Sequence, residues 1–357
     1  MVRHPDPIEL DTLDLCDLDL FADGFPHDVF TELRSSAPIW WHSPTPNTPE
    51  GEGFWVITTH ADVMALLHDP RDVLVGDRPG RVGGGTTLID MPPGLVTGVM
   101  LNMSDPPVHE RIRGLVNRSF TPRAIEMLDV WPRDRAARLV NAAVEEGHVD
   151  FLVDVAAELP LQTIAELMGV PQADRHQLVE WTSTILDYGD RSLTDINNEL
   201  ITAGLGLRAQ EEQAFFSLLF TAGSETTRNS IAAGLLALIE HPDEWQRLRA
   251  DRSLLPTAVE EILRWTSATA YNRRTVFDDP FRFDVGRSPN PHLAFGHGIH
   301  HCLGAALARR EITVVFDVLL DRVEQVALAG PIEWGRSNKH TSMRHLPVEL
   351  TRRKGHI

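Results

Sequence analysis

Cys302 lies in the segment AFGHGIHHCLGAALARRE, where glycines and histidines surround it. Gly296, Gly298 and Gly304 keep side-chain bulk away from the backbone on both sides of the sulfur. From the residue after the cysteine onward, apolar residues follow a helical spacing, so we predict that Cys302 lies at a helix N-terminus. Backbone N–H groups and the helix dipole at such a position are expected to lower the pKa of the thiol and to favour the thiolate.

A thiolate can act as a nucleophile, as a redox thiol or as a metal ligand. Redox chemistry usually needs a second cysteine nearby, and the other one, Cys16, is far away in LDLCDLDL, where we interpret it as a small apolar residue. Two cysteines also exclude a disulfide scaffold and favour a reducing compartment. A zinc site stays open as a less favoured alternative, because adjacent histidines suit one tetrahedral ion poorly and the sequence has no C-x-x-C motif. Its ligands would come from His297, His300, His301 and Cys302.

A second candidate for chemistry lies inside an apolar helical pattern, where the sequence abruptly reads AGSETT at residues 222–227. Glycine in a helix interior costs about 1 kcal/mol relative to alanine, and Ser or Thr tends to bend a helix. Taken alone, this composition is typical of a kinked core helix with tolerated polar residues. The alternative is that small residues admit a flat molecule, beside which Glu225 and Thr226 relay protons.

Two further pairs of side chains each share one face of a helix. Glu261 and Arg264 are three residues apart and can form an ion pair. His109 and Arg113 are four apart and could clamp an anionic group. Such pairs are common on solvated helices, so neither indicates a function by itself.

Together, in this order and spacing, these motifs closely resemble those of the cytochrome P450 family of haem-thiolate monooxygenases. FGHGIHHCLG matches the cysteine signature F-G-x-G-x-H-x-C-x-G of that family, and AGSETT is similar to its oxygen-activating helix motif. Glu261-x-x-Arg264 resembles its buried ion pair, and FRFDVGR resembles the segment that supplies a third member, Arg287. The resemblance implies a single domain over residues 1–357, mainly α with a small β portion.

The resemblance also implies a role for each matching residue around a haem b group. Cys302 would be the axial ligand of the iron, while Thr226 and Glu225 would steer protons on the oxygen-binding side. Basic side chains would bind the haem propionates, glycines and Phe295 would surround the sulfur, and small residues would leave room for dioxygen. The residues assigned to haem binding are Cys302, His109, Arg113, Arg274, His300, Phe295, Gly296, Gly304, Ala222 and Gly223.

Helical patterns dominate the elements that must position these residues, and strand-like pieces are short. We predict helices at Pro26–Ser35, His60–His68, Pro107–Phe120, Pro122–Glu146, Ala156–Met168, Gln172–Tyr188, Gln213–Ile239, Pro242–Ala250, Pro256–Ser267 and Leu303–Leu320, and strands at Phe54–Thr58, Glu324–Gly330 and Leu346–Thr351.

Composition limits the partners. The 357 residues carry a net charge of −18, which argues against nucleic acid or an anionic membrane surface as the main partner. The N-terminal sequence has no basic segment followed by an apolar core, and no apolar run reaches the roughly 18 residues of a membrane span. We therefore expect a soluble, cytoplasmic protein.

The resemblance implies that O2 and an apolar small molecule, such as a steroid or a terpenoid, are the substrates of a monomeric enzyme. Electrons would come from a ferredoxin and a ferredoxin reductase, since the sequence has no flavin or iron–sulfur motif. A basic patch for the ferredoxin would consist of Arg111, Arg118, Arg309 and Arg310.

Two intervals are shorter than in the family. Only about two dozen residues separate Tyr188 from Gln213, where the family carries the lid helices of its distal pocket. The chain also passes directly from Arg274 to Phe277, where the family has further strands after the helix of the ion pair. We predict an unusually open distal pocket. The alternative function is a non-catalytic or poorly active protein that binds haem or another hydrophobic ligand.

Overall fold

The computed structural model describes residues 9–69, 74–76, 83–86, 88, 97–126, 130–171, 175, 210–267, 281–338, 340–341 and 343–354. The helices in this part of the chain are α1 His27–Ser36, α2 His60–His68, α3 Val108–Val116, α4 Pro122–Glu126, α5 Val130–Glu146, α6 Glu158–Leu167, α7 Gln210–Glu240, α8 Pro242–Ala250, α9 Leu255–Thr266 and α10 Ala305–Arg322. The strands are β1 Ile39–His42, β2 Phe54–Ile57, β3 His148–Asp150, β4 Val323–Leu328, β5 Glu333–Trp334, β6 Met343–His345 and β7 Pro347–Arg352.

The prediction of a mainly α fold with a small β portion is confirmed. Helices α2 and α8 have the predicted bounds, and both begin at a recognisable start signal. The side chain of Thr59 accepts the backbone N–H of Asp62 at the start of α2, and Pro242 opens α8, where its missing N–H costs nothing. The predicted helix Gln172–Tyr188 and the shortened interval after Tyr188 lie outside the described residues.

The strands form small antiparallel sheets. β1 pairs with β2, and β7 lies between β3 and β4 in a three-stranded sheet. The predicted strands correspond to β2, β4 and β7, whereas β1 was not predicted from its sequence, IWWH. A short run of aromatic residues has no helix-or-strand periodicity of its own, so only the pairing with β2 decides its conformation.

Helix α7 runs through the core and contacts α6, α9 and α10. It is continuous through AGSETT. The hydroxyl of Thr226 donates to the carbonyl of Ala222 (2.6 Å) and that of Ser230 donates to the carbonyl of Thr226 (2.9 Å), so both hydroxyl groups are satisfied within the helix. A Cβ atom at Gly234 would lie 2.7 Å from Ile262 on α9, so this glycine permits the close crossing of the two helices. Within the described residues no helix is long and apolar enough to cross a membrane.

The carboxylate of Glu261 on α9 is fully buried between two guanidinium groups. Arg264 donates to both of its oxygens at 2.6 and 2.8 Å, and Nε of Arg287 lies 3.2 and 3.1 Å from them. The backbone N–H of Asp284 and the amide of Asn290 also donate to this carboxylate, at 2.9 and 3.2 Å. This cluster therefore ties α9 to the segment that leads toward Cys302.

We expect that Glu261→Gln lowers the free energy of unfolding by about 3–5 kcal/mol, because two buried guanidinium groups lose their counter-charge. The matched control is Glu145→Gln, which removes the partner of Arg352 in a solvent-exposed pair with an N···O distance of 3.4 Å. That change should stay within about 1 kcal/mol. Denaturant unfolding measures both, and equal effects would show that the Glu261 cluster contributes no more than a surface ion pair.

Candidate active site

A cavity of about 770 Å³ lies between α7 and the segment that carries Cys302. This volume is within the usual range for small-molecule and cofactor sites, about 300–1,000 Å³. Most of its lining is apolar, with contributions from α2, α6 and α10. Polar side chains enter it from α3, from α7 and from the start of the segment 294–304. Most of the residues that the sequence analysis selected for the site therefore line this cavity.

The loop that presents Cys302 depends on two glycines with left-handed backbone conformations. Gly296 has φ +69° and Gly298 has φ +71°, values that side chains strongly disfavour. A Cβ atom at Gly298 would also collide with the carbonyl oxygen of Leu67 on α2. The N–H of Cys302 donates to the carbonyl of Phe295 at 2.9 Å and closes the loop, which leaves the cysteine exposed to the cavity.

The prediction that the helix N-terminus alone makes Cys302 a thiolate is wrong. Burial by surrounding protein raises the pKa of the thiol, although the N–H of Gly304 and the charges of Arg113 and Arg309 act in the opposite direction. Helix α10 begins only at Ala305, so the cysteine precedes its first turn. A coordinated metal ion deprotonates a thiol outright, so metal binding at Cys302 would oppose this effect of burial.

His109, which is buried, and His300, which is half-buried, line the cavity and have ring nitrogens without a partner among the described residues. Neither ring nitrogen of His109 nor Nε2 of His300 makes a hydrogen bond with the described part of the chain, and the two rings are 4.5 Å apart. Burial lowers the pKa of His109 to about 4, with smaller contributions from the charges of His300 and Arg113. Arg113 lies close by and donates to the carbonyl of His301 at 2.7 Å. The predicted fourth member of this group, Arg274, lies outside the described residues.

Phe295 packs under the guanidinium of Arg309, which lies 4.5 Å from the ring centroid. The same guanidinium donates to both oxygens of Glu260 at 2.6 and 3.0 Å, and His292 lies 3.0 Å from one of them. Arg309, which the sequence analysis assigned to a basic patch for a partner, thus already pairs with a carboxylate, and the patch itself stays a prediction. Arg111 and Arg118 of that patch are exposed, and Arg310 is half-buried.

On the other side of the cavity, α7 does not bring the predicted acid and alcohol together. Thr226 and Thr227 line the cavity, whereas Glu225 is buried outside the lining, where its charge acts on Arg228. Helical spacing explains this, since consecutive residues point about 100° apart. Ala222 and Gly223 also line the cavity.

Gly223 of the AGSETT motif contributes to helix packing. A Cβ atom at Gly223 would lie 2.8 Å from Cδ1 of Ile164, so the missing side chain lets α6 approach α7 closely. The role that the resemblance implies for Gly223, to leave room for dioxygen, stays a prediction.

Sequence reasoning missed Glu311 on α10. It is 1% exposed, lines the cavity, and has a carboxylate oxygen, Oε1, without a partner in the described residues. Burial raises the pKa of this carboxyl to about 8, while a hydrogen bond with Thr163 opposes the shift. The sequence contained a signal that Glu311 is buried. Leu307 lies four residues before it and Val315 four residues after it, so Glu311 stands in the apolar stripe of the helix.

The zinc alternative around Cys302 has no support in the geometry. Within the described ranges, three or more potential ligands gather within 4.8 Å of one another only at Asp14, Cys16 and His42. There Nε2 of His42 already accepts the N–H of Leu15 at 3.0 Å. Cys16 itself is buried, and burial raises the pKa of its thiol to about 11, as befits an unreactive core residue.

Comparisons with known proteins agree with this site. The profile of the family "Cytochrome P450" matches residues 261–327. The chain is 43% identical over 408 aligned positions to cytochrome P450 126 of Mycobacterium tuberculosis, covering 96% of this chain and 98% of that protein. It is 35% identical to a methyl-branched lipid omega-hydroxylase of the same species, with 89% of each chain covered. The structure of Mycobacterium marinum cytochrome P450 CYP268A2 in complex with pseudoionone matches with a TM-score of 0.83 and 27% identity, over 96% of this chain and 99% of that one.

The chain therefore belongs to the cytochrome P450 family and is a monooxygenase of that family, whose cofactor is haem b with a thiolate ligand. The site fits this group, since it combines an accessible sulfur with buried ring nitrogens that have no partner among the described residues and are suited to carboxylates. The alignment to the Mycobacterium tuberculosis protein extends over 408 positions, more than the 357 residues present here, so that relative carries internal segments without a counterpart in this chain. This confirms the shortening expected from the sequence.

We expect that Gly298→Ala abolishes haem incorporation, because a left-handed backbone and the carbonyl of Leu67 both oppose a side chain there. Gly114→Ala is the control, since nothing lies within 4 Å of a Cβ atom at that position. The ratio of haem absorbance to protein absorbance measures the outcome. Equal haem content in the two variants would contradict the role assigned to the loop.

The stability of the protein should depend on pH through Glu311. The folded state holds this proton up to about pH 8 whereas an unperturbed glutamate releases it near 4.5, so unfolding releases a proton between these values. The free energy of unfolding therefore falls as the pH rises, by a few kcal/mol at most from this group. Glu311→Gln should remove this component in denaturant titrations at several pH values. Parallel curves for the two proteins would exclude a raised pKa.

Proposed function

We propose that this monooxygenase inserts one oxygen atom of O2 into an apolar, lipid-like molecule with electrons from a ferredoxin. The single observation that carries the proposal is the exposure of Cys302 to a mostly apolar cavity beneath the small and hydroxyl residues of α7. Haem b, when bound, supplies the activation of dioxygen. The protein supplies the ligand, the orientation, a mostly apolar cavity and the protons.

Each group around the cavity has a physical task. Cys302 would hold the iron from one side, with the loop N–H groups and the packed pair Phe295–Arg309 limiting water near the sulfur. Arg113, His109 and His300 would hold the propionates, which also removes the cost of leaving buried ring nitrogens unpaired. A propionate would raise the depressed pKa of His109, because a nearby negative charge favours the imidazolium.

The hydroxyl groups of α7 would move protons on the other side. Thr226 is the first candidate, because its hydroxyl lies at the cavity and is held by the carbonyl of Ala222. Thr227 lines the same cavity and is a second candidate. Glu225 can take part only through another group, because its side chain is not at the cavity surface.

The substrate class is argued from the lining and from two relatives. The wall is mostly apolar and includes many leucine, isoleucine and phenylalanine side chains, which favours a hydrocarbon over a polar ligand. One relative is a methyl-branched lipid omega-hydroxylase, and a structural neighbour was solved with pseudoionone. These names support a branched or terpenoid-like hydrocarbon chain as the substrate of this protein.

We propose a ferredoxin as the electron donor, because P450 monooxygenases require redox partners and this sequence has no flavin or iron–sulfur motif of its own. Arg111 and Arg118 offer exposed positive charge for an acidic protein. With Arg309 neutralised by Glu260, the docking surface would be centred on α3 and the turn that follows it.

We expect Cys302→Ser to abolish the strongly red-shifted Soret band of the reduced, carbon-monoxide-bound protein, and to abolish oxygenation. Cys16→Ser is the matched control and should change neither, because Cys16 is buried far from the cavity lining. A red-shifted band that persists in the Cys302 variant would refute the ligand assignment. A normal band without product from any branched hydrocarbon would favour the alternative, a haem protein that binds hydrophobic ligands without turnover.

A further inference from the structure

Glu260 on α9 binds two side chains that belong to the surroundings of the cysteine loop. Its carboxylate accepts Nε of Arg309 at 2.6 Å and a second nitrogen of the same guanidinium at 3.0 Å. Nε2 of His292 lies 3.0 Å from one of its oxygens. The next residue, Glu261, points about 100° away around the helix and binds Arg287 instead. The two neighbouring carboxylates therefore hold different segments of the chain.

His292 connects Glu260 to the backbone of the loop. Nδ1 of His292 accepts the N–H of Ala294 at 3.2 Å, which assigns the ring proton to Nε2, the nitrogen that donates to Glu260. The side chain of His292 is only 4% exposed, so water cannot easily replace either hydrogen bond. Glu260 thereby orients the ring that holds the residue directly before Phe295.

Arg309 connects Glu260 to the other side of the same phenylalanine. Its guanidinium lies 4.5 Å from the centroid of the Phe295 ring, and its two bonds to Glu260 restrict it to that position. The carbonyl of Phe295 accepts the N–H of Cys302 at 2.9 Å. One carboxylate thus restrains, through the backbone and through the ring, the residue whose carbonyl closes the cysteine loop.

The ion pair also determines the charge near the sulfur. Burial raises the pKa of the Cys302 thiol, and the positive charge of Arg309 is among the causes that oppose this shift. Burial also opposes ionisation of Glu260, but the hydrogen bonds of His292 and Arg309 prevail and lower the pKa of Glu260 to about 2. This carboxylate is therefore ionised at neutral pH, and a neutral residue in its place would leave the charge of Arg309 uncompensated beside the loop.

We propose that Glu260 is a positioning residue that controls the reduction potential of the haem iron. It balances the charge of Arg309 and holds the backbone of the cysteine loop, and both effects act on the surroundings of the sulfur. Reduction adds an electron, and an uncompensated positive charge nearby favours the reduced state. The intact pair therefore keeps the potential lower than an unpaired Arg309 would. The inference rests on the proposed function in one respect, since Cys302 must be the ligand of the iron.

The alternative is that Glu260 only stabilises the fold. In that case the loss of either partner should disturb the site in a similar way, and the loss of both should disturb it at least as much. Charge balance predicts a different pattern, in which the two single losses shift the potential in opposite directions and the double loss restores it. A double-mutant cycle on Glu260 and Arg309 separates the two explanations.

The experiment uses the haem-loaded protein and the variants Glu260→Gln, Arg309→Gln, their combination and the matched control Glu324→Gln. Glu324 also pairs with an arginine, Arg249, but lies outside the cavity lining. A spectroelectrochemical titration without substrate or redox partner measures the reduction potential. We expect a higher potential in Glu260→Gln, a lower one in Arg309→Gln, and values close to the wild type in the double variant and in the control.

The positioning of the loop is measured separately by hydrogen exchange of peptides from residues 292–303. In Glu260→Ala, which removes both connections, we expect exchange in these peptides to become about fivefold faster or more, as for the loss of one hydrogen bond. Arg309→Lys keeps the positive charge but not the paired geometry, so it should retain the wild-type potential. Unchanged exchange in Glu260→Ala overturns the positioning of the loop by this carboxylate.

A wild-type potential in Glu260→Gln overturns the control of the iron by Glu260, and so does a double variant that departs from the wild type as far as Glu260→Gln does. If Glu260→Gln does not fold, Arg309→Gln alone decides, because an unchanged potential in that variant excludes an effect of the pair. A wild-type protein without the red-shifted Soret band overturns the proposed function together with this inference. A normal Soret band with a wild-type potential in Glu260→Gln overturns this inference alone.

Discussion

The buried carboxylate of Glu261 between two guanidinium groups is the interaction on which the cysteine side of the molecule depends. A lone buried charge would cost several kcal/mol, so Arg264 and Arg287 must both stay in place once Glu261 is buried. Because Arg287 belongs to the segment before the cysteine loop, satisfying this charge also sets where that loop begins. The left-handed glycines then complete the loop, and the close approach of α2 leaves no room for other residues at Gly298.

Close helix packing shapes the opposite wall of the cavity. Gly223 and Gly234 on α7 admit side chains from α6 and α9, so the long helix lies nearer to its neighbours than larger residues would allow. The hydroxyl groups of Thr226 and Ser230 bond to carbonyls one turn earlier, which satisfies them without breaking the helix. The result is a rigid wall whose polar atoms face a largely apolar space.

The regions of the cavity beside α3 and at the junction of α6, α7 and α10 differ in their electrostatics. On the side of α3, both ring nitrogens of His109 and Nε2 of His300 have no hydrogen-bond partner among the described residues while Arg113 contributes positive charge, an arrangement that suits an anionic group. At the junction of α6, α7 and α10, Glu311 is buried and has no counter-charge within the described part of the chain, which suits a neutral acid. Haem b, with an apolar ring and two carboxylates at one edge, is compatible with the first arrangement.

The sequence by itself indicated the candidate ligand cysteine, the glycines beside it, the Glu261–Arg264 pair and the position of most helices. These features are encoded locally, in fixed spacings along one loop or one helix. Only the tertiary structure decided the direction in which the pKa of Cys302 shifts, the pairing of Arg309 with Glu260 and the formation of strand β1. It also decided that Glu311, and not Glu225, lines the cavity. Each of these depends on which side of a helix meets which neighbour, and on how much water that contact removes. Those are properties of long-range packing, which residue types and spacing along the chain do not specify.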